Sequence, residues 1–332
     1  PFRGQLFSDY FPDDYYLPQS FLAKYQLAIH FELGAGSNGF VLYARRASDE
    51  QHVAVKVVSH APSSSWWSDH PKYGRVPFDV TVMDQLDHDN IIRMLDVYSD
   101  DHYVFIVQEL HGEAWFPKCP EQRQRFPDGN RTLSGYLMAH GRMSVKDASY
   151  VFSQLVDAVD HLHSKGFVHC DIKPGNILID ADLKIKLIDF GNMIELPMDW
   201  DPREGPVIYD PYDGILGTRL YTPTEMLCND PYIPQGLDVW AMGVTLFQMV
   251  TGYRPFRDEN SIKKHIINYD LEQLENTAAL TKMWPILCRC LEPDPLERIT
   301  IQTLKEVDGI RPFPVWKVDL SKEEVRMMHR RV

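Results

Sequence analysis

The stretch HCDIKPGNILIDADLKIKLIDFG, residues 169–191, carries four side chains whose types and spacing suit one reaction. Asp171 can accept a proton from an attacking hydroxyl, or orient it. Lys173 can balance charge on a transferring phosphoryl group. Asn176 offers a hard oxygen to Mg2+, which prefers oxygen ligands. Asp189 offers a second one, thirteen residues further on. Between them, Ile177–Ile179 and Lys184–Ile188 read as strands joined by a turn at Asp180–Asp182. A hairpin of that kind brings Asn176 and Asp189 together at its open end, where both could face one metal ion.

Two upstream motifs extend this chemistry. LGAGSNGFV, residues 33–41, fits G-x-G-x-x-G at Gly34, Gly36 and Gly39. Dinucleotide folds and plain turns carry the same pattern, but a dinucleotide site needs a helix directly after the glycines. Here FVLYARR follows and reads as a strand. Strand, glycine turn and strand make a flap whose backbone N–H groups can approach phosphates closely. VAVK ends an apolar strand on Lys56. Burying that ammonium calls for an anion, either a phosphate or a carboxylate. A lysine snorkelling at a strand edge is the plainer alternative.

The elements that must position these groups fall into two regions. From Ile29 to Val58, and again in IIRMLDVY and YVFIVQEL, the pattern is that of strands, with a helical period in VTVMDQL between. Residues 59–78 interrupt it with Ser, Pro and Trp, and residues 112–131 form a Pro-rich loop. Beyond that loop the period becomes helical. Ala148, Val151, Phe152, Leu155, Val159 and Leu162 share one face, Gly166 is a stop, and DVWAMGVTLFQMV is a further helix. Residues 1–26, rich in aromatics, Pro and Asp, read as an extension without strong local structure that packs on a surface. The expected fold is α+β: a small β-rich lobe followed by a larger helical one.

With 332 residues, 44% hydrophobic and 24% charged, the chain has the composition of a globular protein. A net charge of −13 argues against nucleic acid as a partner, because phosphate contact needs clustered Lys and Arg. It permits a basic substrate. Five cysteines without a Cys-x-x-Cys pair make a disulfide framework or a zinc site unexpected, and Cys288 and Cys290 read as ordinary helix residues. No apolar run reaches the roughly 18 residues of a membrane span. An intracellular location, cytoplasmic or nuclear, is expected. The opening residue is Pro1, so a fragment of a longer chain is expected too.

Taken in order, the glycine flap, strand lysine, D-x-K-x-x-N and Asp-Phe-Gly resemble the eukaryotic protein kinases over about residues 27–312. The resemblance implies a bilobal fold. Residues 1–26 are the extension, 27–110 the N-lobe, 111–312 the C-lobe and 313–332 a tail. It implies ATP held by the flap residues Leu33, Gly34, Ala35, Gly36, Ser37, Asn38 and Gly39, by Lys56, and by the backbone of Glu109 and His111. Val41, Ala54 and Leu178 would sandwich the adenine, with Gln108 as gatekeeper. Met83, Met94, His169 and Phe190 match an internal apolar spine. Mg2+ would sit on Asn176 and Asp189, Asp171 and Lys173 would be catalytic, and Lys173 matches the Ser/Thr-specific pattern. GTRLYTPTE, residues 217–225, looks like the peptide-docking end of the activation segment, with Arg298 as partner of Glu225 and Asp238 as anchor of the catalytic loop.

Four departures stand out. Cys170 replaces the Arg of His-Arg-Asp, which in the family receives a phosphate on the activation loop. That loop, between Gly191 and Gly217, contains no Ser or Thr; Tyr209 and Tyr212 are its only hydroxyls. A conformation active without loop phosphorylation is expected. Asp79 stands where helix C normally carries the Glu that pairs with the strand lysine. It is one methylene shorter, so helix C must sit closer or the pair must be weak. TPTE replaces Ala-Pro-Glu, and Gly175 removes one acid familiar in basophilic kinases. Glu195, Asp199, Asp201, Glu204, Asp210 and Asp213 remain to attract basic peptides or merely to be solvated. A narrower resemblance, to the PAS-domain kinases of the calmodulin-dependent-kinase-like group, is carried by WWSDHPKYGRVPFDVTVMDQLDHDNIIRMLDVY with VQELHG.

Three functions follow as expectations. The first is an ATP- and Mg2+-dependent kinase acting on Ser/Thr hydroxyls of proteins. The second is a weak or inactive pseudokinase serving as a nucleotide-binding scaffold, motivated by Asp79 and Cys170. A small-molecule phosphotransferase is third, and the docking segment argues against it.

Overall fold

A computed structural model describes residues 10–36, 39–60, 67–115, 130–197, 205–211, 216–267 and 277–307. Ser37, Asn38, Cys119, Asp199, Asp201, Glu204, Tyr212, Asp213 and the tail lie outside the described residues.

An antiparallel five-stranded sheet forms the first lobe. Its strands are β1 (Tyr25–Gly36), β2 (Gly39–Arg46), β3 (His52–Ser59), β6 (Met94–Ser99) and β7 (Tyr103–Glu109), in the order β1-β2-β3-β7-β6. Alternation on the central strands separates two faces. Val53, Val55, Val57, Phe105 and Val107 point outward into one apolar cluster. The registered pairs Val41↔Lys56, Ala54↔Gln108 and Lys56↔Ile106 place Val41, Ala54, Lys56 and Gln108 on the opposite face.

Two stretches are more ordered than their sequence suggests. Within residues 59–78, β4 (Trp67–His70) and β5 (Gly74–Pro77) make a hairpin that leads into helix α2 (Phe78–Met83). Ser68 Oγ lies 2.6 Å from Thr81 Oγ1, and His70 Nε2 3.4 Å from Asp84, so the hairpin is fastened to α2 and its end. In the N-terminal extension, α1 (Gln19–Leu22) forms, and β1 begins at Tyr25.

The second lobe is helical: α3 (Leu133–His140), α4 (Val145–Ser164), α5 (Thr224–Cys228), α6 (Pro234–Thr251), α7 (Glu259–Lys263), α8 (Thr277–Cys290) and α9 (Ile301–Glu306). Ser144 caps α4, accepting from Asp147 N, and Gly166 follows its end with φ 80°. The six residues expected on its apolar face are all buried. Buried α6 runs beneath the catalytic loop. The hairpin β8 (Ile177–Ile179) and β9 (Ile185–Leu187) pairs Ile177 with Leu187, with Leu183 N bonded to Asp180 O at the turn. Of the 112–131 loop, residues 112–115 and 130–131 are described, and Trp115 and Asn130 pair as an antiparallel bridge at its base.

Candidate active site

Hairpin registry brings Asn176 and Asp189 together at its open end. Ile188 N donates to Asn176 O at 3.0 Å, which sets Asp189 beside Asn176. Asp189 takes the left-handed backbone, φ 70°, which bends the chain there. Asn176 Nδ2 spends its hydrogens on Asp171 O (2.8 Å) and Asp171 Oδ2 (3.0 Å), leaving Oδ1 as the atom for a cation. Asp189 directs Oδ1 at Lys56 Nζ, 3.1 Å away. The donor set is one amide oxygen and one carboxylate. It suits Mg2+, which takes few protein ligands and completes its shell with phosphate and water.

Asp171 is 4% exposed and closely held. Lys173 Nζ lies 2.7 Å from Asp171 Oδ2 and 2.7 Å from Thr218 Oγ1, and Thr218 donates to Asp171 Oδ1 at 2.7 Å. Thr218 was not singled out in the sequence, although Gly217 before it carried a signal. That glycine has φ 74°, and a Cβ on it would collide with Cys170 O. Only glycine lets the docking segment approach the catalytic loop closely enough for Thr218 to reach Asp171.

The catalytic loop is fixed from below. Asp238, fully buried on α6, accepts from His169 N at 2.9 Å and Cys170 N at 2.8 Å, and touches His163 Nε2 at 2.9 Å. Those bonds hold Cys170 at φ 63°, an unfavourable conformation for a side chain with a Cβ. His169 Nδ1 accepts from Asp171 N, while Nε2 contacts Ile188 O at 3.1 Å, tying loop to hairpin. His169 and Phe190 pack edge-on at 5.6 Å, and Gln108 Nε2 reaches Met83 Sδ at 3.3 Å.

Lys56 Nζ lies 2.6 Å from Asp79 Oδ2. Burial pushes the Lys56 ammonium down, but Asp79 and Asp189 outweigh it and leave its pKa raised. Burial likewise pushes Asp189 up, and Lys56 reverses it, so that carboxyl titrates below its ordinary value. The short Asp79 reaches Lys56 from the first turn of α2.

Cys170 does not face an anion site. Its side chain packs with Val168, Leu196, Met226, Tyr232 and Leu237, with Ile194, Tyr209 and Leu216 alongside. Burial raises its thiol pKa well above the usual value, and Asp238 adds to this. Tyr209 and Tyr232 exchange backbone hydrogen bonds of 2.8 and 3.1 Å, joining the activation segment to the loop before α6. Arg298 grips Glu225 through two bonds of 2.7 and 3.0 Å, both residues being buried. At the hinge, Glu109 Oε1 pairs with Lys186 Nζ at 2.8 Å and His111 Nε2 contacts Lys184 O at 3.0 Å.

A family model for the protein kinase domain matches residues 27–308. The chain belongs to the protein kinase family. It is similar to a PAS domain-containing serine/threonine-protein kinase of Mus musculus, 30% identical over 273 residues, covering 82% of this chain and 17% of that protein. Maternal embryonic leucine zipper kinase of Xenopus tropicalis is 29% identical over 296 residues, covering 88% and 39% respectively. Serine/threonine-protein kinase PSK1 of Saccharomyces cerevisiae (strain ATCC 204508 / S288c) is 28% identical over 269 residues, covering 80% and 18%. The chain therefore spans well under half the length of these relatives. Among the described residues, no helix is long and apolar enough to cross a membrane.

Proposed function

We propose that the chain transfers the γ-phosphate of ATP to Ser/Thr hydroxyls of protein substrates, in a conformation that needs no phosphate on the activation loop. The observation that carries this reading is the closed network Asp171–Lys173–Thr218 beside the Lys56–Asp79 pair. Asp171 orients the substrate hydroxyl and receives its proton. The hydroxyl oxygen bonds to the γ-phosphorus as the bond to the β–γ bridging oxygen breaks, and ADP leaves. Lys173 stabilises charge on the group in transit, and Lys56 orients the α- and β-phosphates. Bound Mg2+, held by Asn176 and Asp189, would neutralise the phosphate oxygens. Leu33 to Gly39 would cover the phosphates, Val41, Ala54 and Leu178 the adenine faces, and Glu109 and His111 its edge.

Independence from loop phosphorylation is supported by the apolar packing of Cys170, which occupies the place of a phosphate-binding arginine. A preference for basic peptides is supported by the net charge of −13 and by Glu195 and Asp210 on the activation segment. The scaffold reading rested on Asp79 and Cys170. The Lys56–Asp79 ion pair favours the catalytic reading over it.

The test is transfer from labelled ATP with Mg2+ onto a degenerate Ser/Thr peptide library, using phosphatase-treated protein and Asp171→Asn as control. Transfer that vanishes in the mutant is expected. Nucleotide binding without transfer would favour the scaffold, and activity lost on phosphatase treatment would overturn the loop assignment.

A further inference from the structure

Residues 10–25 take no part in the machinery above, yet four of their aromatic side chains are buried. Phe11, Tyr15, Phe21 and Tyr25 are buried against Leu42, Val53, Val55, Val57, Phe105 and Val107, on the outer face of the sheet. One end of this strap is moored on β7 and the turn before it. Phe11 meets Tyr103 edge-on at 5.3 Å, Tyr15 meets Tyr103 at 4.9 Å, and Tyr15 Oη donates to Asp100. The other end reaches the glycine flap. The Tyr10 ring lies 4.8 Å from that of Phe40, the Phe11 ring 5.5 Å from it, and Tyr10 Oη donates to Glu32 Oε2 at 2.8 Å.

The placement of these two partners matters. Glu32 belongs to β1 and Phe40 to β2, one on each side of the glycine turn. Phe40 pairs with Val57 and so faces outward, whereas its neighbour Val41 pairs with Lys56 and faces the cleft. β1 is an edge strand, and its pairing with β2 is broken by register shifts between Ala28 and Glu32 and between Glu32 and Gly34. β2 stays paired with β3 from Phe40 to Arg45, so the interrupted pairing loosens β1 and the glycine turn relative to a fixed β2. The strap grips both strands from above and ties them to β7, deep in the same sheet.

We propose that residues 10–15 set the height of the glycine flap over the bound nucleotide, with Tyr10 and Phe11 as positioning residues for MgATP. This rests on the nucleotide-binding reading above. A flap held down in the absence of nucleotide binds it without first losing its own freedom, so the strap contributes to affinity rather than to the transfer step.

The experiment measures MgADP binding by calorimetry and steady-state kinetics for the unsubstituted chain, Tyr10→Ala, Tyr10→Phe and Tyr15→Phe. Tyr10 is only half-buried, so its variants should fold. Tyr10→Ala is expected to weaken MgADP and raise KM for ATP about 3- to 10-fold, the scale of one aromatic contact with one hydrogen bond to a charged group. Tyr10→Phe should give about a third of that effect or more on the logarithmic scale, while kcat and the peptide KM stay within about two-fold. Tyr15→Phe loosens the mooring at Asp100 but keeps the ring contact with Tyr103, so it should lower Tm and weaken MgADP clearly less than Tyr10→Ala does. An unchanged affinity in Tyr10→Ala overturns the proposal, as does an equal loss in Tyr15→Phe, which would mean general loosening of the lobe. Hydrogen exchange of residues 33–41 without nucleotide separates this proposal from the catalytic one. Faster exchange in Tyr10→Ala supports the strap even if the unsubstituted chain binds no MgADP, and unchanged exchange overturns it.

Discussion

Asp79 Oδ2 lies 2.6 Å from Lys56 Nζ although its side chain is one methylene shorter than the glutamate usual at this place. Asp79 lies on α2, which the β4–β5 hairpin fastens through Ser68 and Thr81. Asp79 is 6% exposed, so the space around it is fitted to the short acid. Asp79→Ala should lower kcat/KM at least about 10-fold by freeing Lys56. Asp79→Glu, despite its chemistry, should lower both Tm and activity, because a methylene added to a filled site costs about 1–3 kcal/mol. Thermal melts and steady-state kinetics of both variants check this, and wild-type behaviour of Asp79→Glu would contradict it.

Thr218 links Lys173 to Asp171 through two bonds of 2.7 Å. Thr218→Ala should reduce kcat roughly 10- to 100-fold, the scale of a small misplacement of a reacting group, with nucleotide affinity unchanged. Thr218→Ser keeps the hydroxyl and should retain most activity. Equal losses in the two variants would mean that the methyl group, not the hydroxyl, matters.

Cys170 sits among apolar side chains. Cys170→Arg, which restores the residue usual in the family, should destabilise the chain by about 3 kcal/mol or more, since an unpaired cation would be buried. It should not make activity depend on phosphate. The same burial makes the thiol inert. Iodoacetamide near neutral pH should label exposed Cys228 well before Cys170 or Cys290, whose thiol burial pushes up to about 12. Mass spectrometry of the labelled peptides reads the order.

Glu225 and Arg298 form a buried, two-pronged pair. Glu225→Ala leaves the guanidinium uncompensated and should cost about 3–5 kcal/mol, a fall of roughly 10 °C in Tm. A change of only a degree or two would show that Arg298 is satisfied by the carbonyls of Gly236, Glu292 and Pro293.

The Lys56–Asp189 contact has a definite pH signature. Asp189 is depressed in the folded chain, so its stabilisation is present above the unfolded carboxylate value of about 3.9 and is lost as pH falls through the lower folded value. Lys56 is raised, so its contribution is present below the unfolded value of about 10.4 and is lost as pH rises past the folded one. The stability difference between the parent chain and Asp189→Asn should therefore be constant between about pH 5 and 9 and shrink below about pH 4. Because Asp189 keeps 41% of its side-chain surface, the effect should be modest. Denaturant titrations across pH measure it.

Much of this molecule was legible in one dimension. The spacing of Asn176 and Asp189 around two short strands implied their meeting, since a hairpin has one geometry and a known period. The face of α4 was readable for the same reason: helical periodicity is local. What could not be read are relationships that depend on which distant segments touch. Thr218 is far from Asp171 in sequence, and its role depends on a glycine's freedom to approach. Asp79 alone could not reveal whether its pair would close, because the answer lies in a hairpin packed on α2. The extension reads as packing on some surface, but its aromatics follow no period, and for Phe11, Tyr15, Phe21 and Tyr25 only the fold shows that this surface is the outer face of the sheet. The sequence by itself determined which groups could do chemistry and the local elements that carry them. The tertiary structure decided how far apart those groups stand and what surrounds each. Distance and burial set the strength of every charge and hydrogen bond in the site, and both arise from packing between parts of the chain that share no local pattern.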